Sequence, residues 1–346
     1  MSGQSDPASE FEKLKRKHEQ SRSTGIEKVE KPKEEKSEPI KPTVKKLRPP
    51  HIGYKENGDI EYIMVSPSLI TRFFWKGTLN ENICYKKVYH TNILNDVYNP
   101  STRVQNYGNY FESMTIGKHL KEGVFDLPRK LNGGKTADHL RIDEQIHNFD
   151  RVCEMHKIEV DPEYVQFHKK YHFEMSDEFK RKHDVIVLVS HTIDFISPLQ
   201  LEDNYFKRIV IDLKLPRDRD GGFGKYNWEH PQSLDHTQII MYSLLTGLPG
   251  TYLLFDYKPR DYGYKFVPVL TTAYLEALGV KDENYIMEAN NRNKELFKSI
   301  ENTVELIIQK DALGWDEYPS AENCKGCPLS SKMGGTCNLF TEIKTV

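Results

Sequence analysis

The pattern of hydrophobic and polar positions predicts an α/β protein whose clearest strands lie in the middle of the chain. The run "VIVLVS" (185–190) is continuously aliphatic, as in a strand covered on both faces, and continues into "HTIDFI" (191–196). A second apolar run, "FKRIVIDLKLP" (206–216), follows the polar connection "SPLQLEDNY" (197–205). We therefore predict that the two runs pair as antiparallel strands.

Helical periodicity and end signals place helices around these strands. Residues 233–250 are expected to form a helix with Gly247 near its end, and "TYLLFDYK" (251–258) is the next predicted strand. A strand, a helix and a strand in this order predict a right-handed crossover between parallel strands. Further helices are predicted after Ser66 and over 282–311, so the expected architecture is a mixed central sheet flanked by helices.

Residues 1–50 differ in composition from the rest of the chain. They are rich in Lys, Glu, Pro and Ser and poor in large apolar residues, so they cannot bury enough surface to offset the entropy of ordering. We predict a disordered charged tail, with a short helix at most near residues 9–20. One folded domain is expected over 51–346, with its first strand near 62–65.

Composition narrows the class of protein. The chain has 346 residues, a formal net charge of -2 and five cysteines. Because it has no run of about 18 apolar residues and no apolar signal-peptide core at its N-terminus, we expect a cytoplasmic protein that does not span a membrane. Cysteines in a reducing compartment suggest metal or cluster ligation, catalysis or burial rather than disulfides. A near-neutral chain can still carry a local basic groove for nucleic acid.

Two charged residues inside the second apolar run suggest a site. Side chains alternate across a strand, so Asp212 and Lys214 share one face. A ladder of ion pairs on a solvated face would explain them. If the two runs pair, however, Asp194 approaches Asp212, and close carboxylates repel each other unless a cation lies between them. Oxygen ligands suit Mg²⁺ or Mn²⁺, and Lys214 could orient or deprotonate a water or stabilise the transition state of phosphodiester hydrolysis.

Three further candidates lie on predicted helices. Gln238 and Tyr242 are spaced i, i+4, so they share a helix face and can reach one site, although an ordinary polar stripe explains the spacing equally well. His139 recurs with apolar residues at helical spacing in "ADHLRIDEQIHNF" (137–149). A histidine on such a face is either a ligand or a satisfied core residue.

These motifs resemble those of the RecB-type nucleases of the PD-(D/E)XK superfamily. In chain order they are G-x-x-x-x-H (134–139), T-I-D (192–194), I-D-L-K (211–214) and Q-x-x-x-Y (238–242). The resemblance implies a restriction-endonuclease-like core that binds Mg²⁺ or Mn²⁺. The metal ligands that it implies are His139, Asp194, Asp212 and the backbone carbonyl of Leu213. The catalytic residues that it implies are Asp194, Asp212, the lysine Lys214, and Gln238 and Tyr242 as supports of the site and the DNA backbone. Asp212 stands where many relatives carry Glu.

Three cysteines near the C-terminus indicate a metal or cluster site. Cys324, Cys327 and Cys337 lie close together, and thiols with C-x2-C spacing are more often ligands than buried hydrophobes. Cys84 occupies the position at which iron-sulfur members of the same family carry an isolated first cysteine. The resemblance implies a 4Fe-4S cluster that joins the N- and C-terminal parts, and Zn²⁺ is the alternative that four thiolates allow. Cys153, on a predicted helix, is expected to be simply packed.

Basic and aromatic residues alternate in three segments, "CYKKVYH" (84–90), "FHKKYHF" (167–173) and "FKRKHD" (179–184). Such mixtures suit phosphate contacts and base stacking on a single strand, and solvated charge explains them equally well. The charged, glycine-containing loop 216–231 follows the second apolar run and is predicted to be a mobile flap. The DNA-binding candidates are Lys86, Lys87, Arg217, Arg219 and Lys225.

The sequence therefore predicts a metal-dependent deoxyribonuclease, most simply an exonuclease on single-stranded DNA or DNA ends in recombination, repair or phage DNA metabolism. The stand-alone size is similar to that of the iron-sulfur exonucleases of phages and CRISPR systems. No G-x-x-x-x-G-K-[ST] motif occurs, so unwinding would need a helicase partner. Two alternatives stay open: a structure-selective or RNA-directed endonuclease with the same site, and a non-catalytic nucleic-acid-binding protein held together by zinc.

Overall fold

The computed structural model describes residues 51–75, 77–97, 102–117, 127, 129–130, 133–165, 167–218, 228, 230, 234–256, 263–318, 324, 327–330 and 337. The predicted charged tail 1–50 lies outside the described residues, as do Arg219 and Lys225 of the predicted flap. Residues Leu47–Val346 form one unit by their backbone contacts.

The strands of the described chain group into two mixed four-stranded sheets and one short hairpin. In chain order they are β1 (Ile52–Tyr54), β2 (Ile60–Val65), β3 (Phe74–Trp75), β4 (Thr78–Leu79), β5 (Phe167–His172), β6 (Ile186–Ile193), β7 (Phe195–Leu201), β8 (Asn204–Lys214), β9 (Gly250–Phe255) and β10 (Tyr264–Val269). The first sheet has the order β1-β2-β6-β5 and the second the order β10-β9-β8-β7, while β3 pairs with β4. Within the sheets, β2 is parallel to β6 and β8 is parallel to β9, and the other pairs are antiparallel.

The helices precede, connect and follow these strands. They are α1 (Pro67–Phe73), α2 (Tyr85–Val88), α3 (Arg103–Thr115), α4 (Ala137–His156), α5 (Asp177–Lys182), α6 (Thr237–Thr246), α7 (Thr272–Leu278) and α8 (Glu283–Leu313), and the π-helical turn Tyr89–Ile93 continues α2. None of the helices in the described ranges is both long and apolar enough to cross a membrane.

The predicted mixed α/β architecture is confirmed, but the strands form two mixed sheets instead of one central sheet, because the chain changes sheets at Asp194. The run "VIVLVS" lies in β6, which pairs with β2 and β5 of the first sheet. The hairpin partner of β8 is β7, with Phe195 opposite Ile211. Residues 197–201, predicted as a polar connection, therefore belong to a strand. Ser197 is tolerated there, at 2% exposure, because its hydroxyl accepts the N–H of Glu159 at 2.8 Å.

Several predicted helix ends are confirmed by their caps. The Ser66 hydroxyl accepts the N–H of Leu69 at 3.3 Å and Pro67 occupies the first turn of α1. Helix α6 ends at Gly247, which adopts the left-handed conformation (φ 68°) that glycine tolerates. It begins at Thr237, four residues later than predicted. The predicted parallel pairing of the strands around this helix is confirmed by the register of β8 and β9.

The second sheet separates two hydrophobic cores, and this confirms the predicted alternation along β8. Ile209, Ile211 and Leu213 pack in one core with residues of α3 and α4, such as Phe111 and Phe149. The opposite face of β8 carries Val210, which packs with Tyr242 of α6 and Tyr252 of β9. Asp212 and Lys214, at alternate positions from Val210, therefore lie on the α6 face.

Candidate active site

Asp194 lies at the junction of the two sheets, between the last residue of β6 and the first of β7. Its side chain is buried (2% exposed), and Oδ2 accepts the backbone N–H of Leu213 at 2.8 Å. A carboxylate in this position is stabilised by a charge-assisted hydrogen bond and is fixed against β8. The switch of sheets thus brings Asp194 beside the predicted catalytic strand.

Asp212 is wholly buried (0% exposed) in the middle of the second sheet. Its Oδ1 accepts a hydrogen bond from Nε2 of Gln238 at 2.7 Å, and its Oδ2 forms an ion pair with Lys214. An ion-pair ladder on a solvated face, the alternative explanation of these charges, is therefore wrong. Burying a carboxylate costs several kcal/mol unless it is paired and hydrogen-bonded, as it is here.

Lys214 is influenced by the negative charges of three carboxylates from different parts of the chain. Burial alone would lower the pKa of its ammonium, but the carboxylates of Asp212, Asp194 and Glu112 outweigh burial, so the pKa is raised. About a third of the side chain stays exposed (33%), so the ammonium lies between the buried acids and solvent. Such a group can stabilise negative charge that develops on a substrate. Among the described residues, Lys214 is a positive charge that lies beside the two aspartates.

Glu112 is an acidic residue of this site that the sequence did not suggest. It lies on α3, about a hundred residues before Lys214, and is part-exposed. No motif surrounds it, and its approach to Lys214 depends on how α3 packs on the sheet.

Gln238 and Tyr242 both reach the site, as their i, i+4 spacing predicted. Gln238 Nε2 donates to the Tyr242 hydroxyl at 2.8 Å as well as to Asp212, and that hydroxyl donates to the carbonyl of Thr192 at 2.7 Å. Burial, then Asp212 and Asp194, raise the pKa of Tyr242 well above its ordinary value, so it stays a neutral phenol. The two side chains therefore form a chain of hydrogen bonds from Asp212 to the Thr192 carbonyl.

His139 lies at the start of α4, buried at 1% exposure, in a network of its own. The Tyr110 hydroxyl donates its proton to Asp143 at 2.9 Å. The same hydroxyl therefore accepts the hydrogen bond from the Nε2–H of His139, at 3.3 Å. Lys135 also binds Asp143, at 2.5 Å. Within the described part of the chain Nδ1 has no hydrogen-bond partner, so its lone pair is available. No contact between the described residues joins His139 to the two aspartates, and its role as a ligand stays a prediction.

The donor chemistry around Asp194 and Asp212 fits Mg²⁺ or Mn²⁺, since carboxylate and carbonyl oxygens are the ligands that these ions prefer. The backbone carbonyl of Leu213 follows Asp212 directly, and the Leu213 N–H already binds Asp194. Among the described residues, however, no three His, Cys, Asp or Glu side chains form a group that could hold an ion.

The C-terminal segment after α8 packs against the segment that carries Cys84. The Lys86 N–H donates to the carbonyl of Asp316 at 2.9 Å, and the Tyr318 N–H approaches Cys84 Sγ at 3.5 Å. The rings of Tyr89 and Trp315 stack with centroids 4.7 Å apart. The two segments that were predicted to share a cluster are thus in contact.

The other predicted ligand cysteines lie near Cys84. The Cys327 N–H donates to the Cys324 carbonyl at 3.1 Å, and the Cys337 N–H donates to the Leu329 carbonyl at 2.8 Å. Burial raises the pKa of the Cys327 thiol; the charges of Cys84 and Cys324 raise it further, and Lys87 opposes this. Four soft thiol donors suit an iron-sulfur cluster or Zn²⁺ in chemistry, but within the described part of the chain no three of them are arranged as a group that could hold an ion. The cluster stays a prediction.

Cys153 differs from these four cysteines. It lies on α4 and packs against the core that contains Phe149. Burial, with Asp150 and Glu154, raises its pKa to about 12, so the thiol is unreactive. The prediction that Cys153 is a packing residue is confirmed.

Three of the predicted DNA-binding residues lie in the described part of the chain. Lys86 pairs with Glu317, and that hydrogen bond raises its pKa. Lys87 lies next to it on α2, and Arg217 is exposed just beyond β8. Their role in DNA binding stays a prediction.

No protein-family model and no curated protein matches this chain. Among solved structures, the crystal structure of a "Putative exonuclease" from Eubacterium rectale is similar, with a TM-score of 0.44 and 16% sequence identity. The similarity covers 77% of this chain and 87% of that chain.

Proposed function

We propose that the protein is a metal-dependent DNA nuclease, acting as an exonuclease on single-stranded DNA or free ends. The observation that carries the proposal is the buried group Asp194, Asp212 and Lys214, assembled from a sheet junction and one strand and braced by Gln238. Two buried acids beside an amine that reaches solvent are expensive to maintain for folding alone. They match the needs of phosphodiester hydrolysis, in which negative charge develops next to a bound cation.

Each residue has a distinct part in the proposal. Asp194, Asp212 and the Leu213 carbonyl would hold Mg²⁺ or Mn²⁺, with His139 Nδ1 as a further ligand. A bound ion would act as a Lewis acid and activate a water. Lys214 stabilises charge on the phosphate, and Gln238 keeps Asp212 oriented.

The cleavage assay tests this proposal directly. Purified protein is expected to degrade end-labelled single-stranded DNA with Mg²⁺ or Mn²⁺ and to do nothing in EDTA, because the acids need their cation. Circular DNA, which has no free ends, should survive if the enzyme is an exonuclease. RNA should be a poor substrate. An Asp212→Asn preparation, purified in parallel, controls for contaminating nuclease. Chelator-insensitive DNA binding without any cleavage would instead favour a non-catalytic zinc protein, and cleaved circles would favour the endonuclease.

The cysteines support a second part of the proposal, a structural 4Fe-4S cluster on Cys84, Cys324, Cys327 and Cys337. Anaerobically purified protein is expected to be brown, with visible absorption that dithionite bleaches, because four cysteine thiolates are the ligands of such a cluster. Cys327→Ser should lower iron and sulfide content strongly, whereas Cys153→Ser, which removes the packed thiol, should leave both unchanged. A colourless protein with one zinc per chain would contradict the cluster and leave the nuclease proposal intact.

A further inference from the structure

Strand β5 forms an edge of the first sheet beside the candidate site. It pairs with β6 on one side, and no strand in the described part of the chain pairs with its other side. Lys169 and Lys170 are exposed in the middle of β5, and Tyr171 follows them half-buried. The edge therefore presents two cations and an aromatic ring on one extended segment.

The register places this edge next to the catalytic residues. Lys169 lies opposite His191, three residues before Asp194, which is about 10 Å along the strand. Side chains of directly opposed residues point to the same face, so Lys169 shares the face of His191. The His191 ring lies against Tyr242, with centroids 5.3 Å apart, so this is the face that carries the site.

Aromatic rings connect the edge to the catalytic helix. The ring of Tyr171 stacks on His191 with centroids 5.5 Å apart and an interplanar angle of 9°. His191 in turn contacts Tyr242, whose hydroxyl receives the hydrogen bond from Gln238. One face of Tyr171 is thus covered by His191, and the other face lies on the side away from β6.

Lys170 of β5 differs from the lysines of the helix that follows the strand. Lys180 and Lys182 of α5 are neutralised by ion pairs with Glu174 and Glu178. Lys170 forms no ion pair with any residue that the structure describes. Exposed lysines beside an aromatic face are the features by which proteins bind single strands, since phosphates take the charge and bases stack.

We propose that single-stranded DNA runs along the β5 edge to reach the candidate active site, with Lys169 and Lys170 binding its phosphates from the two sides of this edge strand and a base stacked on the outer face of Tyr171. This inference rests on the proposed nuclease function, because it names the path of the substrate to that site. A single extended edge offers one line of contacts, which matches one nucleic-acid strand rather than a duplex.

The test is equilibrium binding of a fluorescein-labelled oligo(dT) to the full-length protein in EDTA, followed by anisotropy. Lys169→Glu and Lys170→Glu are each expected to weaken binding about fivefold or more and to reduce the slope of log affinity against log salt by about 0.7. Lys207→Glu is the matched control. This exposed lysine also lies on a strand, β8, but about 23 Å along the strand from Lys214 of the candidate site. It should change the affinity by less than about twofold.

A second pair of variants tests the stacked ring. Tyr171→Leu should weaken oligo(dT) binding about fivefold, whereas Tyr171→Phe, which keeps the ring, should bind as the wild type does. Three outcomes would each overturn the proposed path. The three lysine variants could lose equal amounts of affinity for oligo(dT), the wild type could bind a blunt hairpin duplex or oligo(U) as tightly as oligo(dT), or the wild type could fail to bind oligo(dT). Binding that depends on β5 without any metal-dependent cleavage would leave the path standing and refute the nuclease function.

Discussion

Replacing Lys214 with alanine is expected to lower DNA cleavage by about a thousandfold, since it removes the cation beside the phosphate. Asp212→Asn should cause a loss of similar size. The asparagine keeps the shape of the side chain and can still meet Gln238, but it gives up the negative charge that a metal ion needs. Initial rates on end-labelled single-stranded DNA at saturating Mg²⁺ measure both effects. Lys207→Ala on the same strand is the control, and full activity of either site variant would contradict the assignment.

The same two variants are expected to differ in stability in EDTA. Lys214→Ala leaves the buried carboxylates of Asp212 and Asp194 without the ammonium that pairs with them. We expect a loss of about 2 kcal/mol in the free energy of unfolding, below the value for a fully buried pair because a third of the lysine side chain is exposed. Asp212→Asn removes one of the two repelling charges and should unfold near the wild-type urea concentration.

Mg²⁺ should then restore stability to Lys214→Ala, because a cation between the aspartates replaces the missing ammonium. Urea unfolding with and without Mg²⁺ measures this rescue. No rescue at millimolar Mg²⁺ would show that the acids do not form a cation site.

The sequence could predict what depends on local alternation and on end signals. Asp212 and Lys214 had to share a face of β8, because Leu213 between them and the aliphatic residues at the alternate positions fill the opposite core and fix the register. Gln238 and Tyr242 had to share a face of α6, because residues four positions apart lie on the same side of a helix. The strand–helix–strand order around α6 predicted a parallel pair, and β8 and β9 form it.

The features that were missed depend on tertiary packing. The aliphatic composition of β6 showed that it is buried but not which strands it pairs with, and β2, more than a hundred residues earlier, is one partner. Ser197 lies in a strand that was predicted as a connection. The hydrogen bond that its hydroxyl accepts from the Glu159 N–H is non-local, so the sequence does not show that this polar residue can be buried. Glu112 carries no motif, so only the packing of α3 reveals its closeness to Lys214.

The close approach of α6 to β9 holds Gln238 against Asp212, and Gly250 makes that approach possible. A Cβ at this position would lie 2.5 Å from Cγ2 of Ile239, which is 0% exposed and has no room to move. Gly250→Ala is therefore expected to push α6 away from the sheet. Overpacking of this kind lowers the free energy of unfolding by about 1–3 kcal/mol, and cleavage should fall with it because Gln238 moves off Asp212.

Ile239→Leu provides the compensating change, because leucine has no branch at Cβ and nearly the same volume, so alone it should cost less than about 1.5 kcal/mol. The free energy of unfolding of the double variant Gly250→Ala/Ile239→Leu should exceed the value expected from adding the two single effects by about 1 kcal/mol. Gly108→Ala on α3 is the matched control: a Cβ there meets nothing within 4 Å, so the substitution should raise stability by about 0.5–1 kcal/mol. Urea unfolding of the four variants measures the cycle. If Gly250→Ala and Gly108→Ala proved equally stable, the contact between α6 and β9 could not be what fixes Gln238 in the site.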